Sequence, residues 1–445
     1  MDIINNFLWS IATIMLVLSG LYFAFKLNFL HLNVKKIWKS LKPDKSSNSG
    51  MSSFETLTVS LGGCIGVGSL AGIALAIFKG GIGTIFWIWL SCLLVAPNSL
   101  VENALALIYQ KKVGSSYVGG PAYYIKYGLG YKKLAFIYAA LITFAYLFGF
   151  LTIQANTIVK SFTNFFSVPS IVIGLVIGLF SFIVIRKGMK GIAKFSSFFV
   201  PLMGLLYLLV SLFIVFKNIS LLPNLFLNIF QEAFSFKASF YGFLSVMLIG
   251  IQRGIFSSEA GIGASAIASG SSTLKDPIKQ GLIQTFGVYF TTFVICTSTA
   301  FIILTSNYNP LDYTMVNGIE ITQNALIYHL GSFGNIILYF CIIAFSFSTI
   351  VSGYYYAECN LQFIFKKLSQ KALFFLKIFT CFLLILGSIL SSNFLWNLVD
   401  VLVAILAIIN IFSLVKLKKD IIIEYNNYKR MDNHDRKRLG YSIRK

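Results

Sequence analysis

The sequence predicts an all-α polytopic membrane protein of about eleven transmembrane helices, one extra N-terminal helix followed by two five-helix halves of opposite orientation. Three observations carry this expectation. Apolar runs of about 20 residues recur along the whole chain, the length that a hydrocarbon core of roughly 30 Å requires. Lysine and arginine gather in alternate connections between those runs. Two of the runs, at matching places in the two halves, are interrupted by glycines.

The elements follow in order. The run 7–28 comes after Asp2 and two asparagines rather than a basic segment, and no small-residue cleavage site follows it, so it reads as a retained helix. The run 54–79 contains "LGGCIGVGSLAG", with glycines at 62, 63, 66, 68 and 72. Runs 83–109, 134–159, 169–185 and 195–216 complete the first half. The second half comprises 239–270, 281–304, 334–364, 372–390 and 394–415. This divides the chain into the extra helix (1–30), a basic loop (31–53), a first repeat (54–216), an outer loop (217–238), a second repeat (239–415) and a basic tail (416–445).

Only 11% of the residues are charged and 57% are hydrophobic, which leaves no stretch for a separate soluble domain. The net charge of +21 would suit nucleic acid, but its placement argues for a bilayer. Lys35, Lys36, Lys39, Lys42 and Lys45 share one connection, and further basic groups include Lys111, Lys112, Lys132, Arg186, Lys187, Lys275, Lys279, Lys366 and Lys367. The opposite connections hold only Lys79, Lys160, Lys217 and Lys237, and 305–333 has neither lysine nor arginine. The positive-inside rule then sets the N-terminus outside and the C-terminus in the cytoplasm, with the tail from Lys416 lying against anionic lipid. All six cysteines lie in or beside apolar runs, which argues against a disulfide framework.

The glycine-interrupted runs suggest a site. A helix broken in mid-membrane frees N–H and C=O groups that persist only where they line a cavity. Freed N–H groups suit a carboxylate, and freed carbonyls suit a hard cation. The second interrupted run is "LIGIQRGIFSSEAGIGASAIASG", 248–270, with glycines at 250, 254, 261, 263 and 270. Close helix packing through G-x-x-x-G at Gly62/Gly66 and Gly68/Gly72 is the other reading of the first run.

Four stretches carry a family resemblance. "GGCIGVGSLAGIALAIFKGGIGTIFWIWL" (62–90) resembles G-T-G-N-I-A-G-V-A followed by G-G-P-G-A-x-F-W. "VGGPAYYIKYGLG" (118–130) resembles G-G-P-M-Y-Y-I-x-x-G-L, and "QRGIFSSEAGIGASAIA" (252–268) resembles R-G-x-F-S-N-E-A-G-x-G-S. "FSFSTIVSGYYYAECN" (345–360) resembles F-S-T-I-x-G-x-Y-Y-Y-G-E. Together they resemble the alanine or glycine:cation symporters, the sodium:alanine symporter family. The resemblance implies a LeuT-like 5+5 inverted repeat in a bacterial inner membrane and symport of a small neutral amino acid, with Na⁺ as coupling ion. Proton coupling, or an amino acid sensor of the same fold, are the alternatives. Val67, Ser69, Ser258 and Ile82 depart from the family's Thr, Asn, Asn and Pro.

On this reading the substrate contacts are Gly66, Val67, Gly68 and Ser69, with Gln154 and Asn156 from the run 134–159 and Gly250 and Ile251 from the second interrupted run. The resemblance implies sodium ligands from the carbonyls of Gly62, Ile65 and Phe345 and the hydroxyls of Ser348 and Thr349. Positions 345, 348 and 349 share one helical face, where back-bonding of the hydroxyls to their own helix is the alternative. Intramembrane Glu102, Arg253, Glu259, Glu358 and Asp400 are functional suspects by their cost in lipid. Glu102 and Glu358 are candidates for proton coupling. Glu259 is expected to hold the second interrupted run in place, and the loop 119–130 reads as an inner gate or surface helix. Enzymatic readings are excluded by the scattered histidines (31, 329 and 434) and by the absence of any nucleophile–base pattern.

Overall fold

A computed structural model describes residues 2–42, 50–113, 116–163, 166–235, 240–312, 318–366 and 368–430. Lys45, Lys237, Lys367 and the tail beyond 430, including His434, lie outside the described residues. The chain is almost wholly helical. α1 (Asp2–Lys26) and the short α2 (Val34–Ser40) precede α3 (Ser53–Cys64), which a π turn at Gly68–Gly72 joins to α4 (Ile73–Gly80). There follow α5 (Thr84–Ile108), two short strands, α6 (Pro121–Tyr127), α7 (Lys132–Phe144), α8 (Leu151–Thr163), α9 (Ser170–Ile185) and α10 (Gly188–Lys217). Next come α11 (Leu222–Ala233), α12 (Phe240–Ser258), α13 (Ala264–Ser269), α14 (Pro277–Tyr289), α15 (Thr297–Leu304), α16 (Gly318–Leu330) and α17 (Ser332–Phe365). α18 (Gln370–Ile389), α19 (Ser392–Lys416) and α20 (Lys418–Arg430) close the chain.

Among the described residues eight helices are long and apolar enough to span a bilayer, and the bent pair α3–α4 makes a ninth. The other two expected spans appear as shorter apolar helices, α9 and residues 242–258 of α12. α7–α8 and α14–α15 are single spans that carry π turns at Ala145–Phe150 and Phe290–Cys296.

Local sequence explains where the broken helix starts. Ser52 and Glu55 form a capping box: the Glu55 N–H donates to the Ser52 hydroxyl, and the Ser52 N–H donates to the Glu55 carboxylate at 2.7 Å. The helix stops at Cys64, and Ile65 leaves helical geometry with ψ 76°. The chain then resumes as α4 at 51° to α3.

α1 packs on the outside of this core. The Gly20 backbone lies so close to the Leu94 carbonyl that a Cβ would sit 1.9 Å from it. Trp9 donates its indole N–H to the Asp400 carbonyl at 3.0 Å, and Asn98 of α5 bonds Leu16 and Ser19. α1 thus ties α5 to α19.

Two connections hold more structure than their polarity suggests. The stretch 305–333 contains α16, whose Thr322 hydroxyl reaches the Leu70 carbonyl at 3.3 Å. The loop 119–130 contains α6, and its Tyr123 and Tyr124 are buried rather than set at an interface, with Tyr124 bonded to Asn410.

Candidate functional site

The first break opens backbone groups, and side chains from four other helices answer them. The Val67 N–H donates to the Gln154 amide oxygen at 3.0 Å. The Gly68 carbonyl accepts from Ser257, the Ser69 carbonyl from Thr299 at 2.8 Å, and the Leu70 carbonyl from Thr322. Val67 and Ser69 are themselves fully buried, and the Ser69 hydroxyl has no partner among the described residues.

The glycines here supply space rather than unusual torsions, since none of Gly62, Gly63, Gly66, Gly68 and Gly72 has positive φ. A Cβ on Gly66 would meet the Thr349 hydroxyl at 2.3 Å, and one on Gly68 would meet the Phe256 ring at 2.8 Å. Phe256 stacks on Phe150, Phe150 on Tyr146, and Trp396 leans on Phe256 at 5.2 Å between centroids. These rings form an apolar wall against the break.

The expected sodium ligands converge, apart from Ile65, which sits at the end of α3 beside them. Thr349 lies 2.9 Å from the Gly62 carbonyl, 3.2 Å from that of Gly63 and 3.1 Å from that of Phe345. Ser348 lies 3.3 Å from the Gly62 carbonyl and 2.9 Å from that of Phe345. Back-bonding and cross-helix contact therefore coexist. The Gly62 and Gly63 carbonyls have no helical partner, because the Gly66 N–H turns to Cys64 and the Val67 N–H to Gln154. A hard monovalent cation could take these oxygens as ligands, and the donor set, all oxygen, fits sodium.

The second break lies within the glycine-interrupted run 248–270, beyond Gly250 and Ile251. α12 runs unbroken through Gly250 and Ile251, and the chain leaves helical geometry only at Glu259 (φ 52°), Gly261 (φ 83°) and Gly263 (φ 92°). Gly250 is a packing residue: a Cβ there would lie 2.5 Å from Trp87 of α5. The expected substrate roles of Gly250 and Ile251 are corrected accordingly. A glycine that admits a neighbouring helix and one that permits a left-handed turn look alike in sequence.

The buried acids divide the work of holding this break. Glu102 accepts from the Gly261 N–H at 3.3 Å, from Ser265 at 3.2 Å and from Asn410 at 2.8 Å. Tyr138 donates to the Ile262 carbonyl. Glu102, rather than Glu259, thus anchors the backbone leading into α13. Glu259 instead faces α3 and the Tyr146 hydroxyl, which donates to it at 2.7 Å. Arg253 pairs with Asp400 at 2.6 Å, both buried, and its guanidinium lies over the Trp396 ring at 5.0 Å. Glu358 accepts from Gln362 of its own helix.

Gln154 lies at the first break as expected, but Asn156 does not. Its amide donates to the carbonyls of Gly387 and Leu390, and its oxygen accepts from Ser392 at 2.6 Å. Asn156 therefore closes the α18–α19 junction, a correction to its expected substrate role. Two residues apart on one helix point some 200° apart, so Gln154 and Asn156 face different neighbours. Sequence reasoning missed Ser257, Thr299 and Thr322. Hydroxyls in apolar helices ordinarily bond their own backbone, so nothing local marks these three.

Two interrupted helices, each with freed backbone groups met by buried side chains, are the arrangement found in secondary transporters. Solved structures share the fold. A crystal structure of MhsT in complex with L-phenylalanine matches with TM-score 0.60 at 12% identity, covering 82% of this chain and 89% of that one. A Na⁺-coupled sialic acid symporter in an outward-open state matches with TM-score 0.51 at 14% identity, covering 93% and 82%. The chain belongs to the sodium:alanine symporter family, whose model matches residues 1–440. Among its relatives, a probable sodium/glutamine symporter GlnT of Bacillus subtilis is 36% identical over 96% of this chain and 90% of that protein. The amino-acid carrier protein AlsT of the same organism is 34% identical over 96% and 91%. The sodium/alanine symporter AgcS of Methanococcus maripaludis is 28% identical over 98% of both chains. The family and these relatives are transporters, not enzymes.

Proposed function

We propose that the protein carries a small neutral amino acid, alanine or glycine, across the membrane together with sodium by alternating access. The observation that carries this reading is the crowding of the Gly62, Gly63 and Phe345 carbonyls around the Ser348 and Thr349 hydroxyls. In this reading sodium is held by Gly62, Ile65, Phe345, Ser348 and Thr349. The substrate carboxylate takes the N–H groups of Gly66 to Ser69, with Gln154 yielding the Val67 N–H to it. Phe256 and Trp396 close over the side chain, and the close approach of the Phe256 ring to the Gly68 backbone leaves no room there for a long one. One bundle rocks against the other around the mid-membrane site, with the N-terminus outside and the C-terminus in the cytoplasm. Names borne by relatives support the coupling ion and a neutral amino acid.

The test is uptake into proteoliposomes under an inward sodium gradient, with a panel of amino acids as competitors. Alanine is expected to accumulate above equilibrium and to leak back when the gradient is collapsed. Accumulation driven by a proton gradient without sodium would overturn the coupling. Stronger competition by glutamine than by alanine would overturn the small side chain. Binding without accumulation would favour a sensor.

A further inference from the structure

The short helix between α1 and α3 has three unlike sides. In α2 (Val34–Ser40), Ile37 and Ser40 are buried, while Val34 and Trp38 are 73% and 70% exposed. Leu41, which ends the helix with right-handed torsions, falls on the side of Val34 and Trp38. Lys35, Lys39 and Lys42 repeat the same spacing one step further around. The helix packs on α14, and the Tyr289 hydroxyl donates to the His31 carbonyl just before it at 3.1 Å. Leu41 also lines a cavity of about 160 Å³ between α3 and α14. Ser53, Phe54 and Leu57 form one wall and Ile283 and Phe286 the other, so the lining is apolar but for one hydroxyl. Phe54 is 45% exposed, so the cavity opens on the flank of the bundle.

We propose that this cavity takes an acyl chain of an anionic phospholipid whose phosphate lies against the lysine side of α2. Exposed tryptophan beside membrane spans belongs at the headgroup level, and an amphipathic helix there buries its apolar side in the bilayer. That sets Val34 and Trp38 into the lipid and brings Lys35 and Lys42 to the phosphates. Among the described residues neither Lys35 nor Lys42 pairs with a carboxylate. Glu55, next to Phe54, is engaged by the Ser52 N–H at 2.7 Å. A free anion would use the lysines alone, and a neutral lipid the cavity alone. Leu41 at the cavity and Lys42 beside it are neighbours in the chain, so one ligand with both parts fits both. α3 runs from this cavity to the first break at Cys64, so a bound chain bears on the helix whose far end is opened.

The test is a thermal-stability titration of the purified full-length protein in detergent. The probes are phosphatidylglycerol, phosphatidylcholine with the same chains, and glycerol phosphate, which has the charge without a chain. It needs no transport, so it stands apart from the uptake assay. Phosphatidylglycerol is expected to raise the melting temperature saturably, at about tenfold lower concentration than phosphatidylcholine. Glycerol phosphate is expected to leave it unchanged. Lys35→Gln combined with Lys42→Gln removes the preference for the anionic lipid. Leu41→Trp fills the mouth of the cavity and weakens both lipids. If Leu41→Trp does not fold, the lysine variant and glycerol phosphate decide. Equal half-saturation by the two lipids in the wild type, or an unchanged preference in the lysine variant, overturns the site. A shift by glycerol phosphate equal to that by phosphatidylglycerol assigns a free anion and also overturns it, as does unaltered binding of both lipids by a folded Leu41→Trp.

Discussion

The amide oxygen of Gln154 accepts the N–H of Val67 at 3.0 Å, across 87 residues of sequence. This bond caps the backbone group that the break in α3–α4 leaves open. A carboxylate arriving at the break must displace it or share it. Gln154→Ala leaves the N–H unpaired when no substrate is bound, a cost of about 1–3 kcal/mol. The expected outcome is reduced thermal stability, recovered in part by saturating substrate. Gln154→Glu sets a negative charge against the substrate carboxylate and is expected to raise KM for uptake at least tenfold. An unchanged KM in that variant removes Gln154 from the site.

Thr349 touches three carbonyls, which makes its hydroxyl the centre of the proposed sodium ligands. Thr349→Ala is expected to shift the sodium dependence of uptake to about tenfold higher concentration, in keeping with loss of one contact to a charged group. Thr349→Ser keeps the oxygen and is expected to restore the wild-type dependence. Equal sodium affinity in all three proteins would sink the assignment.

The glycines of the first break differ in how much space they guard. Gly66→Ala drives a methyl group to 2.3 Å from the Thr349 oxygen, whereas Gly72→Ala meets only the Trp396 ring at 3.5 Å. Uptake is expected to be lost in the first variant and nearly kept in the second. Expression and thermal stability measured on both separate a failed fold from a blocked site. Loss of activity in Gly72→Ala alone would contradict the packing role.

His31 lies beyond α1, outside the spans, and burial lowers its pKa to about 4. The unfolded chain binds a proton near pH 6.5 and the folded protein does not, so stability falls as pH drops from about 6.5 toward 4. At neutral pH the contribution is fully present. Thermal melts from pH 7 to pH 4.5 are expected to show this loss, and His31→Gln is expected to flatten it. Parallel curves for the two proteins would assign the acid sensitivity elsewhere.

Sequence periodicity and charge placement were enough for the class of fold, because a bilayer demands long apolar helices and sorts lysine by side. The first break was legible too, from five glycines between residues 61 and 73 matched by a second interrupted run, although the glycines themselves turn out to give space for packing. Spacing within α17 brought Phe345, Ser348 and Thr349 to one face before any partner was known. Tertiary structure decided what those faces meet. Gly250 and Gly261 read the same in sequence, yet one admits Trp87 and the other turns the chain at φ 83°. Gln154 and Asn156 are both buried amides, yet only one reaches the break. Arg253 could have faced any of the buried acids, and packing against α19 gave it Asp400. Local sequence fixes which groups a helix carries. Which of them share a cavity depends on helix rotation and crossing, and those are set by contacts hundreds of residues apart.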